Sequence, residues 1–313
     1  METLVTDPFI ETCNQLPIYD LIKMSETSKL LKTRIRQYKW DRIIIISRHA
    51  KYIKHICTNY NFDKFNITDI DISGYEHYLS GAKYLDFTAD SADYINDNHL
   101  KYFVNCETLN LWNCNLITDE GVKYLVNCKN LYLCSCNLIT DNSIKLLNKC
   151  YKLDLAWCHN VSYKSMKYLG NCKILDLSYC KAITDKALKY LGNCKELYLR
   201  RTNITDEGVK YLGNCHTLYL TNCDLLTDKS IKCLVNCKTL DLKCCDLITD
   251  ESLKYLQNCE RLDISGCSNI TDDGVKYLEK CIYLDIIGCK KISKNMITQL
   301  YRTVKYLRCI DIY

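Results

Sequence analysis

The apolar residues between Cys106 and Cys289 follow one recurring pattern, C-x-x-L-x-L-x-x-C. In the unit that opens at Cys128, Leu131 and Leu133 are separated by a single residue, which must point the other way. Such alternation predicts a short β-strand with one buried and one exposed face. Each strand is followed by a turn and a segment such as "ITDEGVKYL". Its apolar spacing predicts a short helix that begins near Thr118 or Asp119.

The pattern has an almost constant period. Its units open at Cys106, Cys128, Cys150, Cys172, Cys194, Cys215, Cys237, Cys259 and Cys281. The spacing is 22 residues, except for 21 residues in the unit that opens at Cys194. A repeat of this length cannot bury its leucines alone, so stacked copies are expected to form an α/β solenoid. We expect a parallel sheet on its concave face and short helices on its convex face, with regular repeats over 106–292.

Weaker copies flank the regular ones. Residues 47–105 are predicted to hold degenerate leading repeats, in which Leu85 and Phe87 keep the strand template. A fainter strand template comprises Ile67, Ile70, Ile72 and Tyr75. Residues 293–313 are predicted to cap the solenoid with a helix near 294–306 and a last strand. That strand would contain Leu307, Ile310 and Ile312.

An asparagine precedes most of the opening cysteines. These residues are Asn105, Asn127, Asn171, Asn193, Asn214, Asn236 and Asn258. Asparagine tolerates the left-handed backbone conformation better than most residues. The column therefore predicts a left-handed residue at the end of each helical segment.

Cysteine usage changes the range of possible functions. Of 23 cysteines, 17 fall in two columns of the repeat, which indicates packing rather than a disulfide framework. Zinc binding is the alternative, but there is no C-x-x-C pair and the six histidines are scattered. No metal, cofactor or small-molecule substrate is expected. Without a nucleophile motif, carboxylate pair or phosphate-binding loop, we expect no enzymatic activity.

Charge and hydropathy narrow the partner class. The net charge is +5, of which +4 lies in residues 1–60, so the repeats are nearly neutral. A nucleic-acid-binding face is therefore disfavoured. The N-terminus lacks a basic start followed by an apolar run, and the longest apolar block, residues 43–46, cannot span a membrane. We expect a cytoplasmic protein, with the nucleus as an alternative location.

The repeat pattern resembles that of leucine-rich repeats, and the trailing cysteine followed by "ITD" is similar to the cysteine-containing subfamily. The resemblance covers nine successive units. It implies a protein-interaction solenoid. The abundance of Ile, Asn, Lys and Tyr, together with the repeat itself, also resembles F-box/leucine-rich-repeat proteins of giant DNA viruses.

Residues 1–46 lack the repeat. The spacing of Leu21, Met24, Ser28 and Leu31 predicts a helix that begins near Pro17. One hypothesis is that this region is a helical cap over the first coil. The other rests on the stretch "LPIYDLIKMSETSKLLKTRI" and Trp40, which resembles an F-box. The matching residues are Leu16, Pro17, Asp20, Leu21, Ser28, Lys29 and Trp40.

The F-box resemblance implies an adaptor function. In that family the F-box binds a Skp-type adaptor and thereby connects a cullin ubiquitin ligase to a protein substrate held by the repeats. The helix would then bind the adaptor through apolar anchors. Those anchors would be Leu16, Pro17, Ile18, Leu21, Ile22 and Met24. The alternative is a stand-alone binding protein whose N-terminal helices only cap the solenoid.

The concave face is the predicted site for a protein partner, because aromatic and arginine side chains anchor interfaces. The residues expected to bind are Trp112, Tyr132, Trp157, Tyr179, Tyr198, Arg200, Arg201 and Tyr219. The strand column also contains several aspartates. These are Asp154, Asp176, Asp241, Asp263 and Asp285. They would either bind a basic partner or remain solvated.

Two further features each leave two interpretations open. The shortened unit at Cys194 has Thr202 in place of the second cysteine. This irregularity reflects either a functional requirement or neutral sequence drift. A lysine column is predicted on the convex face and would bind an anionic surface or be balanced by acids such as Glu120. Its members are Lys101, Lys123, Lys145, Lys167, Lys189, Lys210, Lys232, Lys254 and Lys276.

Overall fold

A computed structural model describes residues 9, 13, 15–47, 49–87 and 89–309. Its strands are β1 (Lys39–Trp40), β2 (Ile44–Ser47), β3 (Asn61–Phe62), β4 (Lys64–Thr68), β5 (Tyr84–Phe87), β6 (Thr108–Asn110), β7 (Asn130–Tyr132), β8 (Lys152–Asp154), β9 (Ile174–Asp176), β10 (Glu196–Tyr198), β11 (Thr217–Tyr219), β12 (Thr239–Asp241), β13 (Arg261–Asp263), β14 (Tyr283–Asp285) and β15 (Tyr306–Arg308). β2 and β4 to β15 form one parallel, 13-stranded sheet in chain order, and β1 pairs with β3. The predicted open solenoid is confirmed.

Helices line the other face. The α-helices are α1 (Ile18–Thr27), α2 (Lys29–Gln37), α3 (Lys51–Asn59), α4 (Asp97–Leu100), α5 (Asp119–Val122), α6 (Asp141–Ile144), α7 (Asp185–Leu188), α8 (Asp206–Val209), α9 (Asp228–Ile231), α10 (Asp250–Leu253), α11 (Asp272–Val275) and α12 (Lys294–Thr303). Short 3₁₀ turns lie at Glu76–Leu79, Ala89–Tyr94, Lys123–Leu125, Met166–Tyr168, Lys254–Leu256 and Lys276–Leu278. None of the described helices is long and apolar enough to cross a membrane.

The core lies between sheet and helices and is continuous along the array. In each strand the leucine register is kept, as where Leu131 faces Leu109 and Leu153 in the neighbouring strands. These leucines are at most 1% exposed. Stacking in register therefore buries the apolar face that one repeat alone would expose.

The two cysteine columns are buried thiols, as predicted. In the second column the Sγ atom donates to a strand carbonyl of the preceding coil, over 3.1–3.3 Å. The donors are Cys136, Cys158, Cys180, Cys223, Cys245, Cys267 and Cys289. Burial raises the pKa of Cys180 to about 12. Neutral thiols therefore link adjacent coils as small apolar donors.

A second ladder ties the convex turns together. Each "ITD" aspartate accepts from the backbone N–H and hydroxyl of the next coil, at 2.7–2.9 Å and 2.6–2.7 Å. The pairs are Thr118 with Asp97, Thr140 with Asp119, Ser162 with Asp141, Thr205 with Asp185, Thr227 with Asp206, Thr249 with Asp228, Thr271 with Asp250 and Ser293 with Asp272. The hydroxyl residue caps its own helix, whereas the aspartate bonds the following coil.

One rung of this ladder is missing. Tyr163 occupies the aspartate position below Thr184, whose side chain makes no capping hydrogen bond. The same coil has no α-helical turn at 163–166, where its neighbours have one, and a 3₁₀ turn follows at Met166–Tyr168. The contact between the coils that open at Cys150 and Cys172 therefore lacks a bond that the contacts on either side possess.

The first strands differ from the prediction. β2 (Ile44–Ser47) is the edge strand of the sheet, with Ile44 and Ile46 buried, although this stretch was assigned to a helical region. The faint template at Ile67, Ile70 and Ile72 is misplaced. The strand is β4, whose inward residues are Phe65 and Ile67. Ile310 and Ile312 lie outside the described residues.

The predicted left-handed asparagine column is wrong. Within the regular repeats, positive φ occurs instead at the position just before the second cysteine column. The residues in that position are Asn113, Ser135, Trp157, Tyr179, Arg201, Asn222, Cys244, Gly266 and Gly288. The chain thus turns sharply at the end of each strand rather than at the end of each helix.

Four of the nine lysines of the column are paired with acidic residues on the convex face. Lys123 lies 2.7 Å from Glu120, and Lys210, Lys254 and Lys276 have acidic partners three residues earlier. Asp119 does not contribute, because it accepts from Thr140 and Ser143 of the next coil. This pairing favours the balanced outer face over an anion-binding one.

Candidate interaction surfaces

The side chains of the concave face come from three positions of each strand and from the left-handed residue after it. Period two places the residues before, between and after the two leucines on the same side of the sheet. Left-handed backbone is unfavourable for bulky side chains. Nevertheless Trp157, Tyr179 and Arg201 adopt it, with φ between 54° and 64°.

Two stacked ring pairs form the centre of this face. The rings of Trp157 and Tyr179 are 4.1 Å apart and nearly parallel, and those of Tyr198 and Tyr219 are 4.2 Å apart. Parallel strands about 4.8 Å apart bring like positions to this distance. We call these four residues, with Arg200 and Arg201, the aromatic cluster.

The two arginines cover the rings. The Arg200 guanidinium lies 4.9 Å from the ring centroid of Tyr219 and 5.4 Å from that of Tyr198. Arg201 lies 5.8 Å from the Tyr179 centroid. Arg200 also approaches Asp241 at 3.8 Å. Cation–π contacts of this kind fix long side chains that are otherwise flexible.

Six of the eight predicted concave residues are thus brought together. Trp112 is 47% exposed but lies two strands away from Trp157. Tyr132 lies beside the cluster, with the Lys152 ammonium 5.0 Å from its ring centroid. Sequence analysis did not select Lys152 or Glu196 as site residues. The Tyr198 hydroxyl donates to the Glu196 carboxylate. Both precede the first leucine of a strand, so period-two alternation already placed them on this face.

The aspartates of the strand column have a structural role that was not foreseen. One carboxylate oxygen accepts the N–H two residues later, as from Ala156 to Asp154 at 2.9 Å and from Ser178 to Asp176 at 2.8 Å. They are not simply solvated. Burial raises the pKa of Asp154 to about 6 and also raises the pKa of Asp176. Asp285 is only 2% exposed.

The N-terminal helices form a second surface. A groove of about 830 Å³ runs between α1, β2 and α3, lined among others by Ile18, Ile22, Ile45, Tyr52 and Ile56. We call it the N-terminal groove. It combines two predicted anchors with three residues that the F-box resemblance did not indicate. Ile45 is 64% exposed on the edge strand.

The other predicted anchors behave differently. Leu21 is fully buried, and its role as an adaptor anchor stays a prediction. Pro17 is exposed, while Leu16 and Met24 are half-buried. Trp40 is also fully buried and donates to the Ile35 carbonyl at 2.9 Å. These residues stabilise the N-terminal region itself.

Cofactor chemistry has no visible basis in the described residues. No group of three or more His, Cys, Asp or Glu side chains there is arranged to hold a metal ion. The cysteines are free thiols.

Comparison with known families identifies the repeat. Five segments match the family described as "Leucine Rich repeat": 107–126, 173–192, 195–213, 238–256 and 260–278. These segments are leucine-rich repeats. No curated protein matches the sequence of the chain.

Solved structures share the fold. Rad7, from the yeast complex of Rad7 and Elc1, has a TM-score of 0.62 at 16% identity, covering 91% of this chain and 89% of that one. An internalin, InlF of Listeria monocytogenes, has a TM-score of 0.53 at 20% identity, with 85% of each chain covered. TLR13 in complex with ssRNA13 has a TM-score of 0.53 at 17% identity, covering 79% of this chain and 39% of that one. At these identities the likeness concerns the fold.

Proposed function

We propose that this chain is a protein-interaction adaptor whose concave face binds a protein substrate through the aromatic cluster. The observation that carries the proposal is the stacking of Trp157 on Tyr179 and of Tyr198 on Tyr219, on a sheet held rigid by register pairing. Trp157 remains 43% exposed. Large, rigid, partly exposed rings with covering arginines are the side chains that carry binding energy at interfaces.

We further propose that the N-terminal groove docks a Skp-type adaptor and so connects the chain to a cullin ubiquitin ligase. The support is the F-box-like sequence, whose residues Ile18 and Ile22 line an apolar groove. Rad7, whose matched region covers 91% of this chain, was crystallised with a bound protein, Elc1. An exposed apolar groove accepts a partner helix through such anchors.

The adaptor proposal is tested by binding to a purified Skp-type adaptor. Side-chain substitutions suit this test better than deletion of residues 1–46, because the deletion would remove most of strand β2 and uncover the sheet. Ile22→Ala with Tyr19→Ala should abolish binding, because both residues line the groove. Leu138→Ala, at a half-exposed loop residue of the solenoid, is the matched control and should bind normally. Wild-type protein that does not bind, or a double variant that binds unchanged, would reject this part.

A stand-alone binding protein is the second candidate, and a specific set of contacts favours it. The N-terminal region is tied to the leading repeats by Ser25, bonded to the Tyr60 hydroxyl at 2.9 Å, and by Trp40, whose ring centroid lies 5.9 Å from that of Phe62. Such contacts are those expected of a cap. Under this candidate, Trp157→Ala would release the substrate while adaptor binding would be absent in the wild type.

A further inference from the structure

Asp154 and Asp176 occupy equivalent positions in β8 and β9 and are partners in the sheet register. Tyr132 precedes them and Tyr198 follows them in the same column. The stacked rings of Trp157 and Tyr179 come from the same two coils. Two carboxylates thus lie side by side, bordered by aromatic residues on three sides.

Among the described residues no basic group forms an ion pair with these carboxylates. The same holds for Asp263, but its neighbours in the column are two further aspartates rather than aromatic residues. Asp285 has the Arg308 guanidinium at 2.9 Å, and Asp241 accepts from Thr221 and approaches Arg200. Asp154 and Asp176 each accept one backbone N–H through Oδ1.

A third polar group lies next to the pair. Ser178 is on the concave side of the coil that carries Asp176, and only 3% of its surface is exposed. Its hydroxyl lies close enough to Asp176 to lower the pKa of that carboxyl, yet it makes no hydrogen bond of normal geometry within the described chain. A buried hydroxyl without such a bond is uncommon and is usually completed by a ligand or water.

The fold itself does not require the charge at this position. Asn110 holds the same place in its strand and accepts the N–H of Trp112 at 3.0 Å, which is the same turn bond. Burial of Asp154 disfavours its ionised form, so the carboxylate is held at a cost in stability. Groups that lower stability without a structural need are characteristic of binding sites.

We propose that Asp154 and Asp176 together seat a lysine or arginine side chain of the protein that binds the concave face, with Tyr132 and the Trp157–Tyr179 stack beside its charge. This inference rests on the proposed function and specifies the chemistry of the partner. The cation replaces water at two desolvated carboxylates and gains cation–π contacts. Arg200 and Arg201 in the next coil repel a second basic residue. The bound segment is therefore basic at this point and neutral or acidic beyond it.

The test uses full-length protein and a fluorescein-labelled decapeptide of alternating lysine and glycine, followed by fluorescence anisotropy. The same peptide with acetylated lysines is the control for charge. Asp154→Asn with Asp176→Asn should weaken binding of the lysine peptide by at least about tenfold. Asparagine can accept the same turn bonds, so folding is retained and can be checked by circular dichroism. Asp263→Asn, in the same column three coils or more away from the pair, should bind as the wild type does.

The pH dependence provides an independent measurement. Binding should weaken as pH falls below about 6, because Asp154 becomes neutral there. The other charged groups that face the pair are Lys152 and Arg200. Equal binding of the acetylated peptide, or of the double variant, would overturn the proposal, as would equal weakening by Asp263→Asn. Binding of the double variant to the Skp-type adaptor is measured in parallel. If that binding persists, a failure of this inference can be told apart from a failure of the adaptor function.

Discussion

Replacing Asp154 by asparagine should stabilise the protein above about pH 6. Burial raises the pKa of Asp154 from the ordinary 3.8 to about 6 in the folded state. Between these values the folded chain binds more protons than the unfolded chain, so the free energy of unfolding falls as pH rises. The destabilisation is complete above the folded-state pKa and is absent below about pH 4.

The magnitude follows from the difference between the two pKa values. Each pKa unit corresponds to 1.36 kcal/mol, which gives an upper limit of about 3 kcal/mol for Asp154. Because the carboxylate is still partly exposed to solvent, an increase of about 1–2 kcal/mol in the free energy of unfolding is expected at pH 8. The turn bond to Ala156 is retained, as Asn110 makes the same bond to Trp112.

Urea unfolding followed by far-ultraviolet circular dichroism at pH 8 and pH 4 measures this effect. Asp206→Asn is the matched control with the opposite sign. Burial acts to raise the pKa of Asp206, but hydrogen bonds from Ser230 and Thr227 outweigh it and the net direction is down. Asp206→Asn should therefore destabilise at pH 8 and less so at low pH. A less stable Asp154→Asn variant at pH 8, or a difference independent of pH, would refute the reasoning.

Two further changes test the ladder on the convex face. Asp228→Ala should lower the free energy of unfolding by about 2–4 kcal/mol, because it removes two hydrogen bonds from Thr249 to a charged acceptor. Urea unfolding measures this change. A decrease of less than about 0.5 kcal/mol would contradict the prediction. Gly208→Ala should cost about 1–3 kcal/mol, because the added Cβ would lie 2.3 Å from Asp185 Oδ1. Gly81→Ala, with nothing within 4 Å, is its control and should leave the melting temperature nearly unchanged.

The regular coils were predictable because their leucines and cysteines recur at one fixed spacing, which determines both the strand face and the register. Strand β2 was not predictable, because residues 43–46 form a continuous apolar run without alternation of apolar and polar residues. The left-handed position was missed because tryptophan, tyrosine and arginine occupy it in three coils. The asparagines and glycines of the same column were the available signal.

The candidate site was predictable only in part. Alternation placed Tyr198 and Tyr219 on the concave face, and register then fixed their stacking. Helical spacing predicted α1 but could not show that Leu21, which the F-box resemblance counts among the anchors, is fully buried. Whether Asp154 is solvated depends on how deeply it is buried and on neighbours such as Asp176 in the adjoining coil, which a repeat pattern does not reveal.

The hydrogen bond missing between Tyr163 and Thr184 weakens the contact between the coils that open at Cys150 and Cys172, and we call this contact the seam. In a solenoid each coil contacts only its neighbours, so loss of one inter-coil bond lowers cooperativity at that place alone. The N-terminal and C-terminal halves should then separate there first, and backbone amides near the seam should exchange hydrogen faster than those in either half. Asp154 and Asp176 lie on opposite sides of the same seam. A ligand that bridges them would clamp the two halves and suppress that opening.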